Sequence, residues 1–216
     1  MIQQDRISRV LTVLAVLIFV FLFTFENSAV VIFPIVLLTV GIVMHRFVSG
    51  RAQKGEEFDD SEIENPRLLK ETIYYTVLAL FGVFLCSYAI KLLPLAIKMG
   101  LTGASATLYD ILIAIAEEQF FRGFITDWLL TSLPNPYVAI FISGGIFMVY
   151  HLAHYGTALG SMLYVAAGGF ILSWTAYRSK HITPCVLGHV INNASAYLTN
   201  VKMGIGTAIT LISKVS

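Results

Sequence analysis

Apolar segments long enough to cross a lipid bilayer follow one another along most of this chain. A transmembrane helix needs about 17 to 25 predominantly apolar residues, and the last of these segments is shorter than the rest. The segments lie near residues 8–25, 29–48, 72–93, 104–130, 136–155, 158–178, 182–199 and 201–215. The pattern predicts an all-α, polytopic membrane helical bundle of about eight transmembrane helices.

The composition agrees with a membrane protein and excludes several other classes. Only 12% of the 216 residues are charged and 57% are apolar, whereas soluble domains carry about 25% charged residues. The net charge of +1 argues against a nucleic-acid partner. Cys86 and Cys185 are isolated, so they predict neither a disulfide framework nor a zinc motif.

The chain divides into two parts of one domain. Residues 1–71 predict an N-terminal transmembrane hairpin followed by a polar cytoplasmic loop, in which a new helix begins near Arg67. The hairpin is expected to be retained, since the segment after residue 25 lacks a signal-peptide cleavage pattern. Residues 72–216 form the predicted transmembrane core. Its connections at 132–136 and 178–184 contain prolines and other turn residues.

Basic residues predict the orientation of the bundle. With a cytoplasmic N-terminus, ten of the 14 Lys and Arg residues fall on the inner side and three on the outer side, while Arg122 lies within the fourth span. Positive residues favour the cytoplasmic side. We therefore expect a multi-pass protein of the cell membrane with both termini in the cytoplasm.

Ionisable residues interrupt the fourth span, where each costs roughly 2.5 to 3.5 kcal/mol near the bilayer centre. They are Asp110, Glu117, Glu118, Arg122 and Asp127. Glu118 and Arg122 are four residues apart in the favoured order for a helical ion pair. Glu117 points about 100° away and has no basic residue at that spacing, which suits proton transfer. The alternative is a structural polar seam between helices.

Two further spans carry polar residues at helical spacing. Phe147 and His151 share a face of the fifth span, with His154 three residues beyond, and His189 and Asn193 share a face of the seventh. Each set could instead be hydrogen-bonded residues inside the bundle. At a rise of about 1.5 Å per residue, however, the three sets reach compatible depths, which favours one converged site.

These three sets carry a family resemblance. "EEQFFR" (117–122), "FMVYH" (147–151) and "HVINN" (189–193) fit the motifs EExxxR, FxxxH and HxxxN. Their order on three spans resembles the CPBP family of intramembrane proteases, which includes the type II CAAX prenyl endopeptidases and the bacterial Abi proteins linked to bacteriocin self-immunity. The resemblance covers roughly residues 104–200 and does not include His154.

The resemblance implies hydrolysis of a peptide bond in a membrane-embedded or lipidated protein or peptide. Glu117 would be the base that activates water, His151 would help to bind that water, and His189 and Asn193 would stabilise the oxyanion. Glu118, Arg122 and Phe147 would support them. Glu117, His151 and His189 could also form a zinc site with an open position, but HExxH is absent. We expect no cofactor, with zinc as the open alternative.

Other functions are compatible with the same residues. A catalytically inactive relative would act as a scaffold or a bacteriocin-immunity protein. A proton-coupled transporter also uses intramembrane Glu and His, but it predicts paired halves that the sequence lacks. A haem held by two histidines is a further alternative.

Overall fold

A computed structural model describes residues 29–52, 66–92, 108–152 and 159–198. Several predictions lie outside the described residues. They are the segments near 8–25 and 201–215, the acidic part of the loop at 53–65, and His154.

The described residues are mostly helical, and no β-strand occurs among them. Along the chain they are α1 (Ala29–Ala52), α2 (Pro66–Lys91), α3 (Leu108–Glu118), a π-helix (Gln119–Thr126), α4 (Asp127–Ser132), α5 (Pro136–Tyr150), α6 (Leu159–Ser179) and α7 (183–198). The all-α prediction is confirmed for this part of the chain. The number of transmembrane helices stays a prediction.

Two of these helices are long and apolar enough to cross a membrane. They span Arg67–Ile90 and Leu159–Ser179, and shorter apolar helices cover Pro34–Arg46 and Pro136–Tyr150. Only 17% of the first span is buried inside the protein, and Phe81 and Phe84 are among its exposed side chains. Such an apolar outer surface suits contact with lipid chains.

From residue 108 onward, the fourth predicted span is one continuous helix with a π-helical interior. The backbone stays in the right-handed helical region at Glu118 and Asp127, on either side of the π-helix. Within it, the Thr126 hydroxyl donates to the carbonyl of Phe121, five residues earlier, at 2.8 Å. The sequence analysis assumed regular α-helical spacing and did not predict this segment. π-Helical turns occur frequently at functional sites.

The centre of the bundle is the surface where α1, α3, α6 and α7 meet. Leu38, Ala116, Ala176 and Val186 are all buried in one apolar cluster there. Helices α5 and α6 also approach closely, because a Cβ on Gly169 would lie 3.0 Å from the Gly144 carbonyl oxygen. Small residues permit this kind of close crossing in membrane helices.

The predicted turn before α5 is present. Asn135 caps the helix, since its side-chain oxygen accepts from the Tyr137 N–H at 2.9 Å, and Pro136 is the first helical residue. Pro184 likewise lies in the first turn of α7, where a proline loses no helical hydrogen bond. The two connections hold α5 and α7 where their motif residues face α3.

Candidate active site

A fully buried ion pair joins the last residue of α3 to the π-helix that follows it. Glu118 and Arg122 are both inaccessible to solvent, and Arg122 Nη1 lies 2.9 Å from Glu118 Oε1. Arg122 Nη2 also donates to the Gly169 carbonyl on α6 at 3.3 Å, and its guanidinium stacks 4.4 Å from the centre of the Phe147 ring. The ion pair predicted from spacing is therefore present.

His189 extends this pair to α7. Its Nδ1 lies 2.8 Å from Glu118 Oε1, so Glu118 binds both Arg122 and His189. The other ring nitrogen, Nε2, lies 3.7 Å from Glu117 Oε2. Glu118 thus fixes the His189 ring so that its Nε2 faces Glu117.

His151 approaches Glu117 from the end of α5. Its Nδ1 donates to the Phe147 carbonyl at 2.9 Å, because a carbonyl oxygen can only accept. Its Nε2 lies 3.9 Å from Glu117 Oε1. The Phe147 ring packs between the groups, with centroids 4.4 Å from His151 and 6.1 Å from His189.

The structure therefore brings two of the other three predicted catalytic residues, His151 and His189, to Glu117, which is only 5% exposed. Both imidazoles are tethered through Nδ1 and present Nε2 to one carboxylate. Separations of 3.7 and 3.9 Å are too long for direct hydrogen bonds, and a water molecule can bridge polar groups at such distances.

Asn193, the fourth predicted residue, is held by a separate hydrogen-bonded chain. Its Nδ2 donates to the Asp110 carbonyl in the first turn of α3 at 2.8 Å. Asn192 Nδ2 donates to Asn193 Oδ1 at 3.3 Å, and the Tyr164 hydroxyl donates to Asn192 Oδ1 at 2.8 Å. The sequence analysis missed this link from α6, since Tyr164 belongs to no motif.

Tyr150 is a second residue that the sequence analysis missed. It immediately precedes His151, and its hydroxyl hydrogen-bonds to the Glu117 side chain. Its ring packs against Phe121, with centroids 5.1 Å apart. The sequence signal that could have identified it is the position of this tyrosine directly before the motif histidine.

The open alternative of a metal site concerns Glu117, His151 and His189. Their donor types suit zinc, and the partners of both Nδ1 atoms resemble those that orient metal-binding histidines. In the part of the chain that the structure describes, however, no group of three or more His, Cys, Asp or Glu residues is arranged to hold a metal ion.

A comparison with known protein families finds a match. Residues 101–195 match the family model described as type II CAAX prenyl endopeptidase, Rce1-like, and this segment contains all four predicted catalytic residues. No curated protein and no solved structure matches the chain. The matched family is membrane-embedded and its members are proteases. The segment that carries the three motifs therefore matches the Rce1-like type II CAAX prenyl endopeptidase family, in agreement with the resemblance that those motifs indicated.

Proposed function

We propose that the protein is an intramembrane endopeptidase in which Glu117 activates water to hydrolyse a peptide bond of a membrane-associated substrate. The observation that supports this most directly is the Glu117 carboxylate facing Nε2 of both His151 and His189, at 3.9 and 3.7 Å. Water activation requires a base positioned near the water, and the two imidazoles beside Glu117 can help to bind and orient that water.

The reaction begins with a water molecule held between Glu117 and His151. Glu117 removes one proton from this water, and the resulting hydroxide attacks the scissile carbonyl carbon. The proton then passes to the leaving amine as the carbon–nitrogen bond breaks. Tyr150 keeps the carboxylate oriented through its hydrogen bond, so that Glu117 serves as base and then as acid.

The oxyanion needs donors aimed at the oxygen on which negative charge develops. His189 supplies a donor when its Nε2 is protonated. Asn193 has two amide hydrogens and uses one for the Asp110 carbonyl, which leaves the other to serve the oxyanion. Glu118 and Arg122 do not contact the substrate in this mechanism, because they hold His189 in place.

The mechanism needs no metal in this proposal. If the protein does bind zinc, Glu117, His151 and His189 are the residues that would hold it, and the metal would polarise the scissile carbonyl. Metal analysis of the purified protein tests this directly. A stoichiometric divalent ion whose loss abolishes cleavage would contradict the metal-free mechanism.

The proposed substrate is a membrane-associated protein or peptide, with a prenylated protein carrying a C-terminal CAAX sequence as the first candidate. The family match supports this class, and the exposed apolar surface of α2 would let lipid and a lipidated substrate approach from the side. An inactive scaffold or immunity protein would need no activated water, and the same experiment separates the two.

The experiment compares membrane peptides from cells that produce the wild-type protein, Glu117→Gln or Glu71→Gln. Glu71 is the matched control, since it is a more exposed carboxylate that pairs with Arg67 at 3.0 Å on α2. Mass spectrometry should find new C-termini with the wild-type and Glu71→Gln proteins and lose them with Glu117→Gln. Loss of a general base typically costs about 100-fold or more.

Equal cleavage by the wild-type and Glu117→Gln proteins would refute Glu117 as the base. A protein that cleaves nothing but keeps a phenotype with Glu117→Gln would instead favour the scaffold. Equal amounts of the three proteins in the membrane, measured by quantitative blotting, ensure that lost cleavage reflects lost chemistry.

A further inference from the structure

Helix α1 lies outside the segment that matches the family, yet it contacts the π-helix directly. A Cβ added to Gly41 would lie 2.9 Å from both the Cα and the backbone nitrogen of Phe120, so only glycine permits this approach. One turn further along the same face lies His45, which is only 5% exposed. Its Nδ1 contacts the carbonyl oxygen of Gly123.

In a regular α-helix, the Gly123 carbonyl would accept a hydrogen bond from the N–H of Asp127, four residues later. In this helix the Asp127 N–H bonds instead to the Phe124 carbonyl, three residues back. His45 takes the Gly123 carbonyl, and because that oxygen can only accept, Nδ1 of His45 carries the proton. A side chain from another helix thus bonds to the carbonyl that, in a regular α-helix, would accept from the Asp127 N–H.

Gly123 follows Arg122 directly, so this contact is connected to the site. Arg122 holds Glu118 at 2.9 Å, and Glu118 holds His189 at 2.8 Å. If the segment returned to α-helical geometry, Arg122 would turn relative to Glu118, since the two helix types advance by different angles per residue. The orientation of His189 would change with it.

We propose that His45 is a positioning residue of the active site, which keeps the π-helical geometry of 119–126 and thereby the orientation of His189. The inference rests on the proposed function, because it assigns His45 a role in that reaction. It gives the N-terminal part of the chain a task in catalysis, in addition to its place in the membrane.

Three variants test this in the full-length protein. His45→Leu removes the donor and keeps an apolar side chain of similar reach. His45→Asn restores a donor near the position of Nδ1. Val43→Ala is the matched control, because Val43 lies on the same helix but is 58% exposed.

The kinetic probe is a farnesylated CAAX peptide with a fluorophore and a quencher on either side of the scissile bond. His45→Leu should lower kcat at least tenfold and change KM less than twofold, since His45 does not touch the substrate. His45→Asn should recover kcat to within threefold of the wild type, and Val43→Ala should equal it. Wild-type kcat for His45→Leu would overturn the proposal, and so would an Asn variant as impaired as Leu.

A spectroscopic measurement separates this inference from the proposed function. ¹⁵N-labelled histidine gives resonances for the five histidines of the chain, and His189→Asn assigns that of His189. The ¹⁵N shifts of His189 should change in His45→Leu and return in His45→Asn, whether or not the peptide is cleaved. Unchanged shifts overturn the inference. A shifted resonance in a protein that cleaves no peptide overturns the proposed function alone.

If His45→Leu does not fold, Gly41→Ala provides the same test. Its added methyl group meets the backbone of Phe120 and moves α1 away from the π-helix. The same change in the His189 resonance is expected, and a wild-type resonance in this folded variant overturns the proposal.

Discussion

The buried pair of Glu118 and Arg122 gives the most quantitative test of the structure. Both side chains are fully buried. Among the described residues, Arg122 is the only permanently charged cation that pairs with Glu118, and His189 is a second when it is protonated. Arg122→Met removes that charge and leaves a buried carboxylate without it. Breaking a buried ion pair in this way costs about 3–5 kcal/mol of folding free energy.

A double-mutant cycle isolates this interaction. Glu118→Gln alone leaves the buried guanidinium without its carboxylate, so it should also destabilise. Replacing both partners by uncharged residues is often nearly neutral, so Glu118→Gln/Arg122→Met should be more stable than Arg122→Met alone. The coupling free energy of the cycle should exceed about 0.5 kcal/mol, because the effects of distant, independent mutations add to within that amount.

The assay is reversible unfolding of the purified protein in mixed detergent and dodecyl sulfate micelles. The two tryptophans, Trp128 and Trp174, report the transition by fluorescence. Arg122→Met with a loss below about 1 kcal/mol would refute the reasoning, because this is the range of exposed ion pairs. A double variant whose loss equals the sum of the two single losses would refute it equally.

Two smaller predictions concern α5. Gly144→Ala should destabilise by about 1–3 kcal/mol, the usual cost of overpacking, because its Cβ would lie 2.0 Å from Phe170 Cδ1. Gly145→Ala, with nothing within 4 Å, should be unaffected in the same unfolding assay, and equal losses would contradict the packing. Asn135→Ala should cost about 0.5–2 kcal/mol through the lost bond to Tyr137; an unchanged midpoint would contradict the cap.

The regular spacing of residues along an α-helix allowed part of this site to be predicted from the sequence. The pair of Glu118 and Arg122 follows from their separation by four residues, and the opposite direction of Glu117 follows from the angle of about 100° per residue. Compatible depths in the membrane favoured one site for Glu117, His151 and His189, and the family resemblance implied it. Helical geometry alone carries the first two inferences, because the residues concerned lie within two turns of one helix.

The π-helix and the partners of Asn193 could not be predicted in the same way. An α-helix and a π-helix differ in which carbonyl accepts the hydrogen bond from each N–H. In the proposal above this choice depends on His45, which lies 78 residues before Gly123. The bond from Asn193 to Asp110 likewise joins residues 83 positions apart. Such contacts are set by how the helices pack, and residue spacing within one segment contains no information about them.

Two buried polar atoms of the Glu118–Arg122 pair bear on how water reaches the site. Among the described residues, Glu118 Oε2 and Arg122 Nε have no hydrogen-bond partner in the protein, although buried polar groups almost always have one. Each also belongs to a charged side chain, so the cost of leaving it dry is larger. Water that reaches these atoms would stabilise the pair and supply the reactant for Glu117. Hydrolysis inside a membrane requires that water enter a site surrounded by lipid, and unpaired polar atoms beside the Glu117 carboxylate, the proposed base, would attract it there.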